Sequence, residues 1–571
     1  MYKANKKHLQ PLLISNVNDL PDKHRKRLEE SWAGVFYQEF FCRMEEGAFA
    51  GLYAATPSRP NTAVNVLVGL EALKANFGWS DEELYDHFVF DVQVRYALGY
   101  RDLKEGEFDL RTLYNFRRRL SEYNLEKGKN LLQEAFARIT DQQIIAFKVR
   151  TEQQRMDSTQ IASNILDATR LELAVEAIQR LQRLLRETDQ AKYAEVLTPY
   201  LKGDAGQFVY RIKGKQDTAE HLLAVGKVLY HLLDGMEADY QNEAVYQVMK
   251  RFFAENYQVS ESKVEAKDPK ELVSGSLQSL DDLEASFRQK GNRFYKGYVT
   301  NVSETCDPQN PVQLITQVQV APNNVEDADL LIEGLADLQE RTDLKTLYTD
   351  GGYGSPDVDE ALNQAKVDLY QTAIRGKAPS TEKLNLADLI FELDENGKPL
   401  SVTCPQQQRG SVEASPSGYI AFLDGALCRA CPFFADQRCR ARRFKPDRNR
   451  FNWAFSQKEF LWAQRRKRFL QLKLRVTNPR TAVEATMRSV KHAFPASKLP
   501  VRGRFRIACM MSLAAAMINI RRIHAYLSEI KQKTASENVE VATPMLTLSS
   551  TFRSFWSLSL FSLFSKPCFS C

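Results

Sequence analysis

Apolar residues recur every three to four positions through TAVNVLVGLEALKANFGWSDEELYDHFV, the period of a helix that buries one face. Gly78 marks where that helix should stop, and Ser80 with Glu83 forms a capping box that opens the next. Helix, tight turn and helix resemble a helix-turn-helix, although most helical hairpins bind no DNA. A further helix over DLRTLYNFRRRL, 109–120, completes a mostly helical region 1–140 and presents Arg117 and Arg118. The period then changes. RMDSTQIASNI near 155–165 reads as a strand, and 166–290 returns to charged helical sequence such as LELAVEAIQRLQRLLRE. RFYKGYVTNVSE (293–304) and VQLITQVQVA (312–321) read as strands of a hairpin around the turn-rich DPQNP. An amphipathic helix (ADLLIEGLADLQER, 328–341), a strand ending at Asp350 in a Gly-rich turn, a short helix (PDVDEALNQAK) and the strand VDLYQTAI (367–374) follow. This order predicts an α/β protein with a mixed sheet, carrying Asp157 and Asp350 at strand ends.

At 571 residues the chain is too long for one core, and about 150 residues per domain suggests three or four units. The start has no long apolar run with a cleavage site, and the greasy FWSLSLFSLF at 555–564 falls short of the roughly 20 residues of a membrane helix. A cytoplasmic protein with no membrane partner is therefore expected. The net charge of +6 is unevenly spread. Residues 441–504 hold 18 Lys and Arg against Asp447, Glu459 and Glu484, a local +15 that leaves −9 on the other 507. Such a basic segment on an acidic body fits a polyanion partner, or else a solvated Arg-rich helix face.

Of nine cysteines, Cys404, Cys428, Cys431 and Cys439 are clustered. In a reducing compartment this points to metal rather than disulfides, and four thiolates close a structural zinc site. The surrounding 380–450 shows little apolar periodicity, so a metal staple would supply what a core does not. Four reduced, non-ligating cysteines are the alternative.

The stretch NPRTAVEATMRSVKHAF reads as a helix with Asn478 as N-cap and Pro479 at its first position. Arg480, Glu484, Arg488 and Lys491 then share one face about 80° wide. Val483, Met487, Val490 and Phe494 form a separate core-facing stripe. Three bases around one acid form either a surface ion-pair ladder or a metal-binding Glu with cations aimed at phosphates. Asp157 lies in an otherwise uncharged strand, and Asp350 sits beside Gly351, Gly352 and Gly354. Either acid alone could equally cap a helix or close a turn. Together, Asp157, Asp350 and Glu484 are the acids that phosphoryl transfer needs to hold divalent metal.

These residues resemble bacterial insertion-sequence transposases of the DDE type. Asp157-Ser158-Thr159 corresponds to the first-strand signature, Asp350-Gly351-Gly352-Tyr353 to the fourth-strand one, and Arg480, Glu484 and Lys491 to a Tyr-Arg-Glu-Lys helix. Thr477 stands where that helix signature has Tyr, which touches DNA positioning rather than the acids. The likeness spans about 40–530, includes FRRRL at 116–120, and through the Cys-bearing insertion points to the branch labelled group eleven-eighty-two. It implies an RNase H-like catalytic core over 141–375, with a helical insertion at 166–290 and its C-terminal part at 456–530. A helical DNA-binding domain at 1–140, a Cys-rich insertion at 376–455 and a tail at 531–571 would complete the chain. It further implies Mg²⁺ (or Mn²⁺) on Asp157, Asp350 and Glu484, with Arg480, Arg488, Lys491, Arg117 and Arg118 as DNA contacts. The expected partners are transposon terminal inverted repeats and target DNA, with a homodimer or larger assembly on the DNA. An RNase H-like nuclease without strand transfer, or a non-catalytic DNA-binding descendant, are the competing readings.

Overall fold

The computed structural model describes residues 1–10, 14–56, 60–201, 215–261, 263–374, 382–395, 397–445, 449–473, 479–480 and 482–541. Asn478 and Thr477, and the tail beyond 541, lie outside the described residues. The chain divides into a compact unit, Met1–His524, and a second, Ala525–Cys571, whose described part is the end of a helix.

The first unit opens with helices. α1 (Val64–Phe77) ends at Gly78 in the left-handed region, φ 73°. A Cβ there would come within 2.4 Å of the Ala493 backbone oxygen, so both the turn and the close approach require glycine. Ser80 opens α2 (Asp81–Phe90) through the expected capping box. α3 (Leu110–Lys127) and α4 (Leu131–Ala146) follow. Arg117 on α3 bonds Glu71 at 2.7 Å and Asp81 at 2.7 and 2.9 Å, tying together three helices.

The central sheet starts with β1 (Gln153–Ala162). An insertion of α5 (Arg170–Leu184), α6 (Lys215–Tyr240) and α7 (Ala244–Asn256) then builds its own core around Ile178, Leu229 and Phe252. β2 (Arg293–Thr305), β3 (Ile315–Pro322), β4 (Thr346–Thr349) and β5 (Asp368–Gln371) complete the spatial order β3-β2-β1-β4-β5. A short strand, Ser286–Lys290, pairs with the first half of β2. β2 runs antiparallel to β1 and β3, whereas β1, β4 and β5 are parallel. The parallel steps need crossover helices, supplied by α8 (Asp327–Arg341) and α9 (Pro356–Gln364). Their apolar stripes pack on Met156, Leu347 and Leu369 of the sheet. This mixed sheet with a helical N-terminal region is the expected α/β, RNase H-like architecture.

Three regions differ from the sequence reading. The insertion read as helical over 166–290 also holds strands Tyr257–Ser260 and Lys263–Ala266, paired with each other, and Ser286–Lys290 on the central sheet, each too short for its alternation to stand out. Residues 390–455 are not short of a core. Strands Ile390–Leu393, Pro399–Thr403, Arg409–Ser415, Gly418–Asp424 and Arg450–Phe455 form an antiparallel sheet, with Arg442–Arg443 at its edge. Val402, Ala421, Phe451 and Trp453 are buried beneath it together with Phe460 of α10 (Gln457–Lys473). Short strands with two or three inward residues each leave too little periodicity to register along the chain. The Glu484 helix, α11, covers Val483–Lys491 and so starts four residues after Pro479. The Arg155 guanidinium takes the Pro479 carbonyl at 2.7 Å, and the Val483 amide closes a turn on the Arg480 oxygen at 2.9 Å. Arg480 is therefore held in a turn ahead of α11. The apolar stripe of Val483, Met487, Val490 and Phe494 is buried as its spacing predicts.

One carboxylate joins these parts. Glu304 on β2 is 0% exposed. It accepts from Arg155 on β1 at 2.6 Å and from Thr486 on α11 at 2.8 and 3.0 Å. Arg522 of α12 (Arg504–Val541) pairs with it at 2.7 Å. Removing one member of a buried ionic group leaves the other charges without partners. Glu304→Ala is expected to cost about 3–5 kcal/mol of stability, read by denaturant unfolding of the full chain.

Candidate active site

β1 and β4 pair in parallel with Arg155 opposite Tyr348. Two residues further along stand Asp157, inside β1 rather than at its end as the sequence suggested, and Asp350, just past the end of β4, so continuing the register sets the two acids side by side. Asp157 is 9% exposed in mid-strand. Its Oδ1 accepts the Ser158 amide at 3.0 Å, and its Oδ2 lies 3.1 Å from Arg480 Nη2. Burial raises its pKa, Arg480 opposes that rise, and the Asp350 charge adds to it.

Asp350 leaves β4 and accepts the Gly352 amide at 2.7 Å, capping the turn Gly351–Tyr353. A Cβ on Gly351 would sit 2.9 Å from the Ala373 backbone oxygen, which explains that glycine. Tyr353 is fully buried and donates its hydroxyl to Asn301 Oδ1 at 2.6 Å. Burial and the charges of Asp327, Asp157 and Asp350 all raise its pKa, so the phenol under the site stays protonated.

Glu484 is placed by α11, which packs against β1. Its side chain is 60% exposed, and its link to the strand acids runs through Arg480, whose Nη1 is 3.8 Å from Glu484 Oε1. One guanidinium thus stands between Glu484 and Asp157. Asp157 and Asp350 are neighbours, and Glu484 is beside them rather than among them. Among the described residues, no three His, Cys, Asp or Glu side chains are grouped to hold one metal ion.

Of the basic residues on this face, Arg488 is exposed and Lys491 half-buried, and neither makes an ion pair among the described residues. Burial lowers the Lys491 pKa. At the N-terminus, Arg117 is engaged inside the helical domain, while Arg118 is exposed and paired only with Glu122 on its own helix. The Cys-rich segment brings Cys404, Cys428, Cys431 and Cys439 to the wall of a single cavity of about 20 Å³. All four are free thiols. Burial and the charges of its three neighbours push Cys428 up to about 12.

Sequence reasoning missed Asp327. It is 7% exposed at the first position of α8 and lines a groove of about 900 Å³ together with Asp350 and Gly352. In the sequence it passes for an ordinary acid in the first turn of an amphipathic helix. Only the fold brings it to Asp350.

Residues 278–520 match the family model described as Transposase DDE domain. The match includes Asp350 and Glu484 and starts after β1, so Asp157 stands on geometry alone. It supports a DDE-type transposase, an enzyme acting on DNA. No curated protein and no solved structure matches the chain. Among the described residues, no helix is long and apolar enough to cross a membrane.

Arg480 is the cation that offsets the buried Asp157 charge. An acid whose folded pKa is raised costs stability above that pKa, and the cost is relieved as pH falls through it. Arg480→Gln raises the Asp157 pKa further. The variant is expected to lose about 1–3 kcal/mol at neutral pH and less near pH 5, measured by denaturant unfolding at both. An equal loss at the two pH values would show that Arg480 acts by packing instead.

Proposed function

We propose that the chain is a DDE-type DNA transposase that cleaves strands at transposon ends and transfers them into target DNA. The observation that carries this reading is the shared register step of Asp157 and Asp350 on adjacent parallel strands, with the Glu484 helix packed beside them. These three acids would hold divalent metal. The fit rests on the buried Asp157 carboxyl, whose pKa burial and the Asp350 charge raise, and which among the described residues is paired with a single arginine. Bound Mg²⁺ would supply activation of the attacking oxygen and neutralisation of charge at the scissile phosphate.

The chain's own residues have distinct parts in this scheme. Arg480 occupies Asp157 in the structure and must give way, toward Glu484 or toward a phosphate, for the acids to close. Exposed Arg488 and half-buried Lys491 would take backbone phosphates, and a bound anion would oppose the lowering of the Lys491 pKa by burial. Arg118 is the N-terminal arginine best placed for DNA, since Arg117 is committed to Glu71 and Asp81. In cleavage, water forms the new P–O bond and the 3′ oxygen leaves as a hydroxyl. In transfer, that hydroxyl attacks a target phosphate and displaces the target's own 3′ oxygen, which leaves the protein free of covalent DNA. Asp157→Ala is expected to lower Mg²⁺-dependent cleavage of inverted-repeat DNA by at least about 10³-fold. Wild-type protein should also give joined target products in the same assay. Full cleavage by the variant would refute the reading, and cleavage without joining would make the protein a nuclease.

The cysteine cluster is assigned a structural zinc ion. Four thiols around a void large enough for about one small occupant support this, because a zinc ion would stabilise the thiolates that burial disfavours at Cys428 and Cys439. Protein purified without chelator is expected to carry about one zinc per chain by elemental analysis. Its absence would return the segment to a sheet held by Phe451 and Trp453 alone.

A further inference from the structure

Asp327 is more than nine-tenths buried and takes a hydrogen bond from the Ser158 side chain, yet its Oδ1 has no hydrogen-bond partner among the described residues. A buried carboxylate oxygen left dry is costly, and native folds keep such groups where a ligand completes them. The oxygen belongs to a side chain that lines the large groove together with Asp350 and Gly352. The other Asp327 oxygen points to the same place as Asp350. A Cβ built on Gly352 would meet Asp327 Oδ2 at 2.7 Å and Asp350 Oδ1 at 2.9 Å. Glycine at 352 therefore keeps open a small gap flanked by two carboxylate oxygens from different elements.

We infer that Asp327 and Asp350 together hold a divalent cation, making Asp327 a fourth acid of the site and Asp350 the residue shared between two metal positions. Two acids suffice, because Mg²⁺ and Mn²⁺ keep several waters and bind through one or two carboxylates. The walls fit a cation bridged to a polyanion. Arg288 and Lys290 bear on Asp327 electrostatically, and Lys296 and Arg170 line the same groove. A DNA strand lying there would meet lysines and arginines at its phosphates and the acid pair beneath. The inference rests on the transposase reading for its second metal position at Asp157, but its geometry involves only Asp327, Gly352 and Asp350.

The test is Mn²⁺ binding to the full chain, dialysed free of divalent ions and followed by electron paramagnetic resonance. Asp327→Asn is expected to bind one Mn²⁺ fewer than wild type, and Asp157→Asn to keep the Asp327 position. Without added metal, Asp327→Asn should melt no lower than wild type, since it removes a buried charge with an unpartnered oxygen; a purely structural Asp327 would instead make the variant less stable. Should that variant fail to fold, Fe²⁺-generated hydroxyl radicals on wild type provide a second readout, with backbone cuts expected next to 327 and 350–352. Unchanged Mn²⁺ binding by Asp327→Asn, or no cuts next to 327, overturns the proposal and leaves the transposase reading standing. Wild type that binds no Mn²⁺ overturns both.

Discussion

The site depends on a carboxylate that does no chemistry. Glu304 is fully buried and collects two guanidinium groups and a hydroxyl from three other elements. Each of those partners is close in sequence to something the site needs. Arg155 is two residues from Asp157, and Thr486 is two from Glu484. Arg155 also holds the Pro479 carbonyl, which sets the turn that lets Arg480 reach Asp157. Dry ionic groups seldom add net stability, but they tolerate few alternative arrangements. Here the arrangement fixes how α11 lies over β1, and so where Glu484 can be.

Above that clamp the sheet end concentrates negative charge. Burial and the Asp350 charge raise the pKa of both Asp157 and Asp327, opposed by Arg480 at the first and by Ser158, Arg288 and Lys290 at the second. Tyr353 closes the floor with a neutral hydroxyl donor. An acid cluster under-neutralised by its own chain, beside exposed Arg488 and half-buried Lys491, is suited to a cation and a phosphate backbone together. The same arrangement explains why Glu484 stands apart. The Arg480 guanidinium stands between it and Asp157 and pairs with both.

Much of this was legible in the sequence because it is local. The Gly78 stop, the Ser80 capping box, the five sheet strands and the stripe of Val483, Met487, Val490 and Phe494 each follow from residues within one element. What escaped depends on partners far along the chain. Helical angles put Arg480 on the same face as Glu484, but a bond from Arg155, 324 residues away, keeps it out of the helix. The core of the Cys-rich segment escaped because each strand contributes few inward residues. Asp327 escaped because nothing local distinguishes it from a helix-capping acid, and its missing hydrogen bond exists only in three dimensions.

The most direct measurement is anomalous diffraction from crystals of the chain with Mn²⁺ and a DNA end. The account predicts manganese density against Asp157 and Asp350, with Arg480 released and the Glu484 carboxylate drawn in to ligand distance. Density elsewhere, with Glu484 still turned to solvent and Arg480 still on Asp157, would contradict it.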